Sequence, residues 1–173
     1  MGVAERVEGV AGECLERDCT NGSKIVTVAG TMKSYEVAET IDASPDEVWA
    51  VVEDIARYPD WDSGVERVEG RLAQGEKIKV YSEANPGRAF PVTVTELTPG
   101  RGMTWSGGMP LGLFKGVRTY RLAAEGGGTR FTMREEYTGP LLPLIWRTMP
   151  DLQPSFDKFA RGLKARVERG SNG

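Results

Sequence analysis

The chain has 173 residues, a net charge of −3 and a hydrophobic fraction of 39%, which are ordinary values for a soluble single-domain protein. The acidic balance argues against a nucleic-acid-binding protein, and no apolar run approaches the roughly 18 residues that a membrane span requires. The chain contains no histidine, which excludes catalytic triads and proton shuttles built on imidazole. We therefore expect a cytoplasmic protein whose partners include neither nucleic acid nor a spanned membrane.

Residues 1–31 differ from the rest of the chain because they carry little sustained hydrophobic periodicity. They contain both cysteines, Cys14 and Cys19, which a helix would place on different faces. Two cysteines without histidine do not complete a zinc site, so we expect no metal and no cofactor. A local disulfide would require an oxidising compartment. We interpret residues 1–31 as a flexible N-terminal extension and residues 32–173 as one domain.

The segment from Ile41 to Trp61 predicts a capped helix followed by a second short helix. Ser44 and Glu47 have the spacing of a capping box, and Pro45 suits the first helical position. Pro59 supplies no backbone N–H, so it should end the second helix near Tyr58. An apolar face at helical spacing comprises Val48, Trp49, Val52 and Ile55.

Alternating apolar residues predict seven strands, one before this helix pair and six after it. In chain order the strands contain Tyr35, Val37 and Ile41; Val65–Leu72; Lys77–Glu83; Phe90, Val92 and Val94; Met103 and Trp105; Phe114–Ala124; and Thr129–Thr138. Glycine and proline turn signals separate the last six strands, which is typical of an antiparallel meander.

The C-terminal region predicts one long amphipathic helix that ends near Gly170. Its apolar residues at helical spacing are Leu152, Phe156, Phe159, Ala160, Leu163 and Val167. About 17 residues give a helix of about 25 Å, which matches the width of a small sheet. We therefore predict an α+β fold in which a curved seven-stranded antiparallel sheet wraps around this helix and leaves an interior cavity.

This element order resembles the START-like superfamily, also called the SRPBCC or helix-grip fold, and within it the polyketide cyclase/dehydrase and lipid transport branch. The resemblance lies in IDASPDEVW…YPDW from Ile41 to Trp61, in Gly128-Thr129-Arg130, and in LKARVE from Leu163 to Glu168. It covers about residues 33–169. It implies a helix-grip fold and a small hydrophobic or amphipathic ligand, while members of this superfamily share no single catalytic signature.

Strand alternation places Arg118 on the face of Tyr120 and Leu122, and Glu135 on the face of Met133. If the glycine-rich hairpin pairs Leu122 with Phe131, Arg118 lies opposite Glu135 on the concave side. Such a pair would give an apolar pocket one polar end, with Arg118 as anchor for a carboxylate, phenolate or enolate. The alternative is an ordinary cross-strand ion pair at a solvated sheet end.

The predicted ligand-binding residues are the apolar and aromatic side chains expected to face the cavity, together with this charged pair. They are Phe90, Val92, Met103, Trp105, Phe114, Arg118, Tyr120, Met133, Glu135, Tyr137, Trp146, Met149, Phe156 and Phe159. For each apolar member, packing in the core is the alternative interpretation. The loop from Gly107 to Leu113 and the segment from Leu141 to Met149 are expected to gate the cavity or to contact a membrane or a protein partner.

The sequence is compatible with three functions. The favoured one is a non-catalytic protein that binds a lipid, polyketide or isoprenoid-like molecule. The second is a cyclase or dehydratase in which Arg118, Glu135 and Tyr137 are the candidate catalytic residues. The third is an interaction module that contacts a membrane periphery or a protein through its apolar loops. The ligand and the oligomeric state are left open.

Overall fold

A computed structural model describes residues 32–170 of the chain, so the predicted extension and its two cysteines lie outside the described residues. The strands are β1 (Lys33–Ile41), β2 (Val65–Glu69), β3 (Lys77–Ser82), β4 (Ala89–Thr98), β5 (Gly102–Gly108), β6 (Lys115–Glu125) and β7 (Gly128–Thr138). The α-helices are α1 (Pro45–Glu53), α2 (Leu142–Trp146) and α3 (Gln153–Gly170). Short 3-10 helices span Ile55–Asp60 and Pro110–Gly112.

The seven strands form one antiparallel sheet in the order β1-β7-β6-β5-β4-β3-β2. The strands after α1 follow one another as a meander, and β1 joins the sheet beside the last strand, β7. Helix α3 packs against β1 and α1. This architecture confirms the predicted α+β helix-grip fold.

The predicted capping box at the start of α1 is present. The Ser44 hydroxyl accepts from the backbone N–H of Glu47, and the Glu47 carboxylate accepts from the Ser44 backbone N–H at 2.8 Å. These bonds satisfy donors that a helix N-terminus leaves without intrahelical partners. Pro59 lies inside the following 3-10 helix, which ends one residue later, at Asp60.

The residues after the first 3-10 helix pack against α3 at Gly162. A Cβ at Gly162 would overlap the carbonyl oxygen of Asp62 and would lie 3.1 Å from Cε3 of Trp61. The Trp61 ring also packs edge-on against Phe159 of α3, with centroids 5.1 Å apart. Gly162 therefore permits a close approach that closes one end of the fold.

The core lies between the concave face of the sheet and α3. Its fully buried side chains include Tyr120, Phe131 and Met133 from the sheet and Phe156 and Leu163 from the helix. The five belong to one continuous apolar cluster. The part of the interior beneath α3 is thus filled by side chains of the protein itself.

Several element boundaries differ from the sequence-based prediction. β5 includes Gly107 and Gly108, for which the sequence predicts a loop, and β6 begins at Lys115 rather than at Phe114. β2 ends at Glu69 because the φ of 115° at Gly70 departs from extended strand geometry. The position requires glycine, since a Cβ there would lie 2.9 Å from the Lys77 carbonyl oxygen. The segment after β7 contains the short helix α2, whereas its prolines predicted a connection without regular structure. Pro143 lies in the first turn of α2, where its missing N–H costs no intrahelical hydrogen bond.

Candidate functional site

One row of directly paired residues crosses five strands on the concave face of the sheet. Tyr35 of β1 pairs with Glu135 of β7, which pairs with Arg118 of β6; Arg118 pairs with Trp105 of β5, and Trp105 with Val94 of β4. Directly paired residues of antiparallel strands project to the same side. The row therefore places a cation and an anion between aromatic side chains.

The predicted opposition of Arg118 and Glu135 is confirmed. The Arg118 Nε and Nη2 atoms both donate to Oε2 of Glu135, at 2.7 Å and 2.6 Å. The pairing of β6 with β7 runs from Lys115 to Glu125 without a bulge that would turn one partner away. The side chains are only 25% and 15% exposed, so this is not a solvated surface pair.

Aromatic rings surround the Arg118 guanidinium. Its Cζ atom lies 4.9 Å from the ring centroid of Phe156 on α3, which is a cation–π distance. Burial lowers the pKa of Arg118, but the Glu135 carboxylate and the Tyr120 and Tyr137 phenols outweigh that effect and raise it. Arg118 therefore remains a cation in a largely apolar setting.

Two tyrosines beside the ion pair keep their protons. Burial raises the pKa of Tyr137 far above its usual range, and the neighbouring Glu135 charge adds to the effect. Burial likewise raises the pKa of Tyr120, against the opposing influence of Arg118. Both phenols are therefore neutral hydrogen-bond donors at any physiological pH.

Trp105 contributes a buried donor with no acceptor. Its side chain is 3% exposed, and among residues 32–170 its indole Nε1 has no hydrogen-bond partner. The Trp105 ring lies 5.0 Å from that of Tyr120, next to the ion pair in the row. Buried donors are almost always paired in folded proteins, and within residues 32–170 the indole N–H groups of Trp105 and Trp49 are the two side-chain exceptions.

An open cleft of about 410 Å³ lies at the end of β5 and β6 where their connecting loop begins. Its lining residues are Lys77, Pro91, Val92, Thr93, Ser106, Gly107, Gly108, Met109, Gly112, Phe114 and Lys115. Only Val92 and Phe114 of the predicted ligand-binding residues belong to this set. The Arg118–Glu135 pair does not line the cleft, and the paired lining residues Lys77, Thr93 and Ser106 alternate with the row and project to the opposite face of the sheet.

Two paired glycines lie between the cleft and the ion pair. Gly107 of β5 lines the cleft and pairs with Gly116 of β6. A Cβ at Gly116 would lie 3.2 Å from Oε1 of Glu135 and 3.4 Å from Cε1 of Tyr137. We call this pair the glycine strip; the side chain closest to Gly107 is that of Val92, and those closest to Gly116 are those of Glu135 and Tyr137.

Phe114 and Tyr137 form an aromatic contact beside the glycine strip. Phe114 lines the cleft and stacks on Tyr137, with ring centroids 5.8 Å apart and planes at 25°. Tyr137 in turn packs edge-on against Trp146 of α2 at 5.9 Å. The side chain that borders the cleft is thus linked directly to one beside the ion pair.

The remaining predicted ligand-binding residues lie in three different settings. Met103, Tyr120, Met133, Phe156 and Phe159 are buried in the core. Trp146 and Met149 are partly buried against that core, and Phe90 is 38% exposed with the Arg88 guanidinium 5.7 Å from its ring. The structure therefore brings the charged pair together with only part of the predicted apolar set.

Sequence reasoning missed the glycine strip and the two lysines of the cleft, Lys77 and Lys115. The available signal was Gly116 inside a predicted strand, since glycine in a strand often marks close approach by a ligand or a backbone, whereas Gly107 belongs to β5 and not to the predicted loop. Within residues 32–170, no group of three or more acidic or cysteine side chains could hold a metal ion. The chemistry present is a paired cation and anion, two neutral phenols and one free indole donor.

The comparisons with known proteins concern both sequence and fold. A family model described as polyketide cyclase / dehydrase and lipid transport matches residues 32–168. A search of curated proteins gave no match. Many solved structures share the fold.

Three of these structures illustrate the fold. Protein MLL2253 from Mesorhizobium loti is 14% identical, with a TM-score of 0.63 over 79% of this chain and 98% of that chain. Zhui aromatase/cyclase from Streptomyces sp. R1128 is 16% identical, with a TM-score of 0.62 over 81% and 96%. Norcoclaurine synthase from Thalictrum flavum, solved as a point mutant with a transition-state analogue, is 17% identical, with a TM-score of 0.63 over 84% and 99%.

At these identities the solved structures establish a common fold and nothing about a shared ligand. The family model is the stronger finding, since it matches the sequence from the residue before β1 to the last turns of α3. The chain belongs to the polyketide cyclase / dehydrase and lipid transport family.

Proposed function

We propose that the protein binds a small amphipathic molecule with an apolar body and one anionic or enolisable oxygen group. The apolar body would occupy the cleft against Phe114 and Val92. The oxygen group would extend along the glycine strip to Arg118. The family membership and the chemistry of this face support the proposal.

The observation that carries it is the Arg118–Glu135 pair itself. Desolvating an ion pair usually costs about as much as its attraction returns, so such a pair is weak evidence of a stabilising role. Both hydrogen bonds from Arg118 to Glu135 go to one carboxylate oxygen, while the Tyr120 phenol lies against Arg118 and the Tyr137 phenol against Glu135, so a ligand oxygen would join a cluster of polar groups that already contact one another. The free Trp105 indole supplies a further donor on the same row.

The dimensions of the cleft support a ligand of moderate size. Its volume of about 410 Å³ lies within the range of about 300–1,000 Å³ that is typical of small-molecule sites. Its lining combines apolar side chains with the lysines Lys77 and Lys115. A medium-chain fatty acid or a small aromatic polyketide has a suitable size and polarity.

A cyclase or dehydratase is the second candidate function, and Tyr137 favours it. Its phenol stays protonated beside the Glu135 carboxylate and near the Arg118 cation. In such a site Arg118 would stabilise an enolate, Tyr137 would donate a proton, and Glu135 would accept one. The Zhui aromatase/cyclase shares the fold, and the family description supplies polyketides as the substrate class of this alternative.

Native mass spectrometry of gently purified protein tests the binding proposal. We expect an adduct that is released by organic solvent and that contains an acidic or phenolic group. A variant in which Arg118 and Glu135 become Met and Gln should carry less of it. An adduct retained equally by that variant would contradict the role of the ion pair. Turnover of a poly-β-ketone analogue by the wild type, lost in Tyr137→Phe, would instead favour the enzyme.

A further inference from the structure

The loop between β5 and β6 exposes a leucine in an unfavourable conformation. Leu111 is 96% exposed and has a φ of 59°, the only positive φ of a residue other than glycine in the described part of the chain. A left-handed conformation strains an L-residue that has a Cβ, and glycine or asparagine is usual there. Both water exposure and backbone strain thus disfavour leucine at this position, and such outliers point to function.

A second exposed leucine lies on the adjoining segment. Leu144 of α2 is 64% exposed. The two segments touch, because the Leu141 backbone N–H donates to the Leu113 carbonyl at 2.9 Å. A Cβ at Gly139 would also lie 2.8 Å from the Gly112 carbonyl oxygen. Residues 109–113 and 139–146 therefore form one projecting apolar surface, which we call the leucine tip.

Cations surround the leucine tip. Lys115 lies two residues after the first segment and pairs with Thr138, the residue before the second. Arg147 caps the end of α2, and the Lys33 ammonium lies 5.8 Å from the ring centroid of Trp146. Among the residues that the structure describes, neither Lys115 nor Arg147 forms an ion pair, although the chain as a whole has a net charge of −3.

The first acidic residue after Arg147 in the sequence, Asp151, has other partners than the cations of the leucine tip. Asp151 accepts from the Gln153 backbone N–H at 3.2 Å and lies beside the Tyr35 hydroxyl. The surface thus combines protruding leucines with unpaired cations, and this combination matches an anionic lipid surface. Within residues 32–170, no helix is long and apolar enough to cross a membrane.

We propose that the leucine tip docks the protein onto anionic bilayers, with Leu111 and Leu144 inserted at the interface and Lys115 and Arg147 on the lipid headgroups. Met109 and Phe114 of the same loop line the cleft. Docking therefore brings the cleft to the membrane surface, where amphipathic molecules partition.

Vesicle flotation with the full chain tests this proposal. The probes are vesicles of phosphatidylcholine alone and of equal parts phosphatidylcholine and phosphatidylglycerol. We expect binding to the anionic vesicles, little binding to the neutral ones, and weaker binding as salt is raised.

The test variants separate insertion from charge. Leu111→Asn suits the left-handed backbone, so with Leu144→Gln it should reduce vesicle binding at least tenfold while the melting temperature holds or rises. Lys115→Gln with Arg147→Gln should reduce binding to anionic vesicles about 25-fold, at about fivefold for each cation. Arg121→Gln is the matched control, because Arg121 is exposed on the same strand, six residues or about 20 Å from Lys115.

Three results would overturn the proposal. One is equal flotation with neutral and anionic vesicles, and another is undiminished flotation of the two leucine substitutions. The third is a dimer, detected by sedimentation without lipid, that Leu111→Asn dissociates, since the tip would then bind a second copy of the chain.

Discussion

The Arg118 Nη2 atom lies 2.6 Å from Oε2 of Glu135, on the concave face of the sheet and below an aromatic ring of α3. This contact joins two residues that are 17 apart in the chain and lie on the neighbouring strands β6 and β7. An ion pair that is largely buried beneath an aromatic ring contributes to the stability of the fold, to ligand binding or to both. The two contributions can be separated by substitution.

The stability contribution is measured by a double-mutant cycle. Arg118→Met should lower the free energy of unfolding by about 2–4 kcal/mol, because it leaves the Glu135 charge partly buried without a partner. Adding Glu135→Gln should restore much of the loss. Urea denaturation of the four proteins gives the coupling free energy, which we expect at about 1.5–3 kcal/mol. Coupling below about 0.5 kcal/mol would identify an ordinary solvated pair.

The glycine strip should control access to the ion pair. Gly116→Ala adds a methyl group 3.2 Å from Oε1 of Glu135. No positive φ makes alanine unfavourable there, so stability should change by about 1 kcal/mol or less. We expect affinity for decanoate, measured by calorimetry, to fall about tenfold. The control is Thr119→Ala, three positions along β6 from Gly116 and therefore on the opposite face of the sheet. If Thr119→Ala weakens decanoate binding as much as Gly116→Ala does, the ligand does not reach Arg118 along the glycine strip.

The closed end of the fold should be intolerant of a side chain at Gly162. Alanine favours helix over glycine by about 1 kcal/mol. A Cβ at this position nevertheless overlaps the Asp62 carbonyl oxygen. We expect Gly162→Ala to lower the free energy of unfolding by about 2–3 kcal/mol. Gly170→Ala, on the same helix with nothing within 4 Å, should be neutral or stabilising, and equal effects of the two changes would contradict the close approach.

The buried phenols should make the protein sensitive to alkali. The pKa values of Tyr58, Tyr120 and Tyr137 are raised above the ordinary value of 10.0, chiefly by burial. A raised folded-state pKa means that the unfolded chain loses its protons first, so stability is full below pH 10 and falls as the pH rises further. The slope is about 1.4 kcal/mol per pH unit for each such group.

Spectrophotometric titration checks this expectation. Native protein should show a phenolate absorbance well below that of five tyrosines until it unfolds. Tyr137→Phe should reduce the dependence of stability on pH above 10. Reversible ionisation of all five tyrosines in folded protein would show that the phenols are accessible.

The sequence allowed the fold and the ion pair to be predicted for physical reasons. The capping box at Ser44 depends on residues three apart, and strand alternation depends on residues two apart, so both can be read locally. Arg118 and Glu135 could be paired because a tight turn at Gly126 and Gly127 fixes the register of β6 against β7.

The cleft and the leucine tip could not be predicted in the same way. The cleft depends on which strand positions lack side chains and on the path of the β5–β6 loop. Leu111 adopts a left-handed conformation that leucine disfavours, so no local rule places it there. Helix α2 comes directly after Gly139 and Pro140, two residues that are typical of loops. Its start is held by a distant contact, because the Leu141 N–H donates to the Leu113 carbonyl.

The most direct test of the proposed function is the ratio of dissociation constants for decanoate and decanol. These probes share a tail and differ in the charge that Arg118 would bind. In the wild type we expect decanoate to bind about tenfold more tightly, and in Arg118→Met/Glu135→Gln we expect the two to bind within about twofold of each other. If the wild type binds neither probe, or if the double variant keeps the preference, Arg118 does not select the ligand.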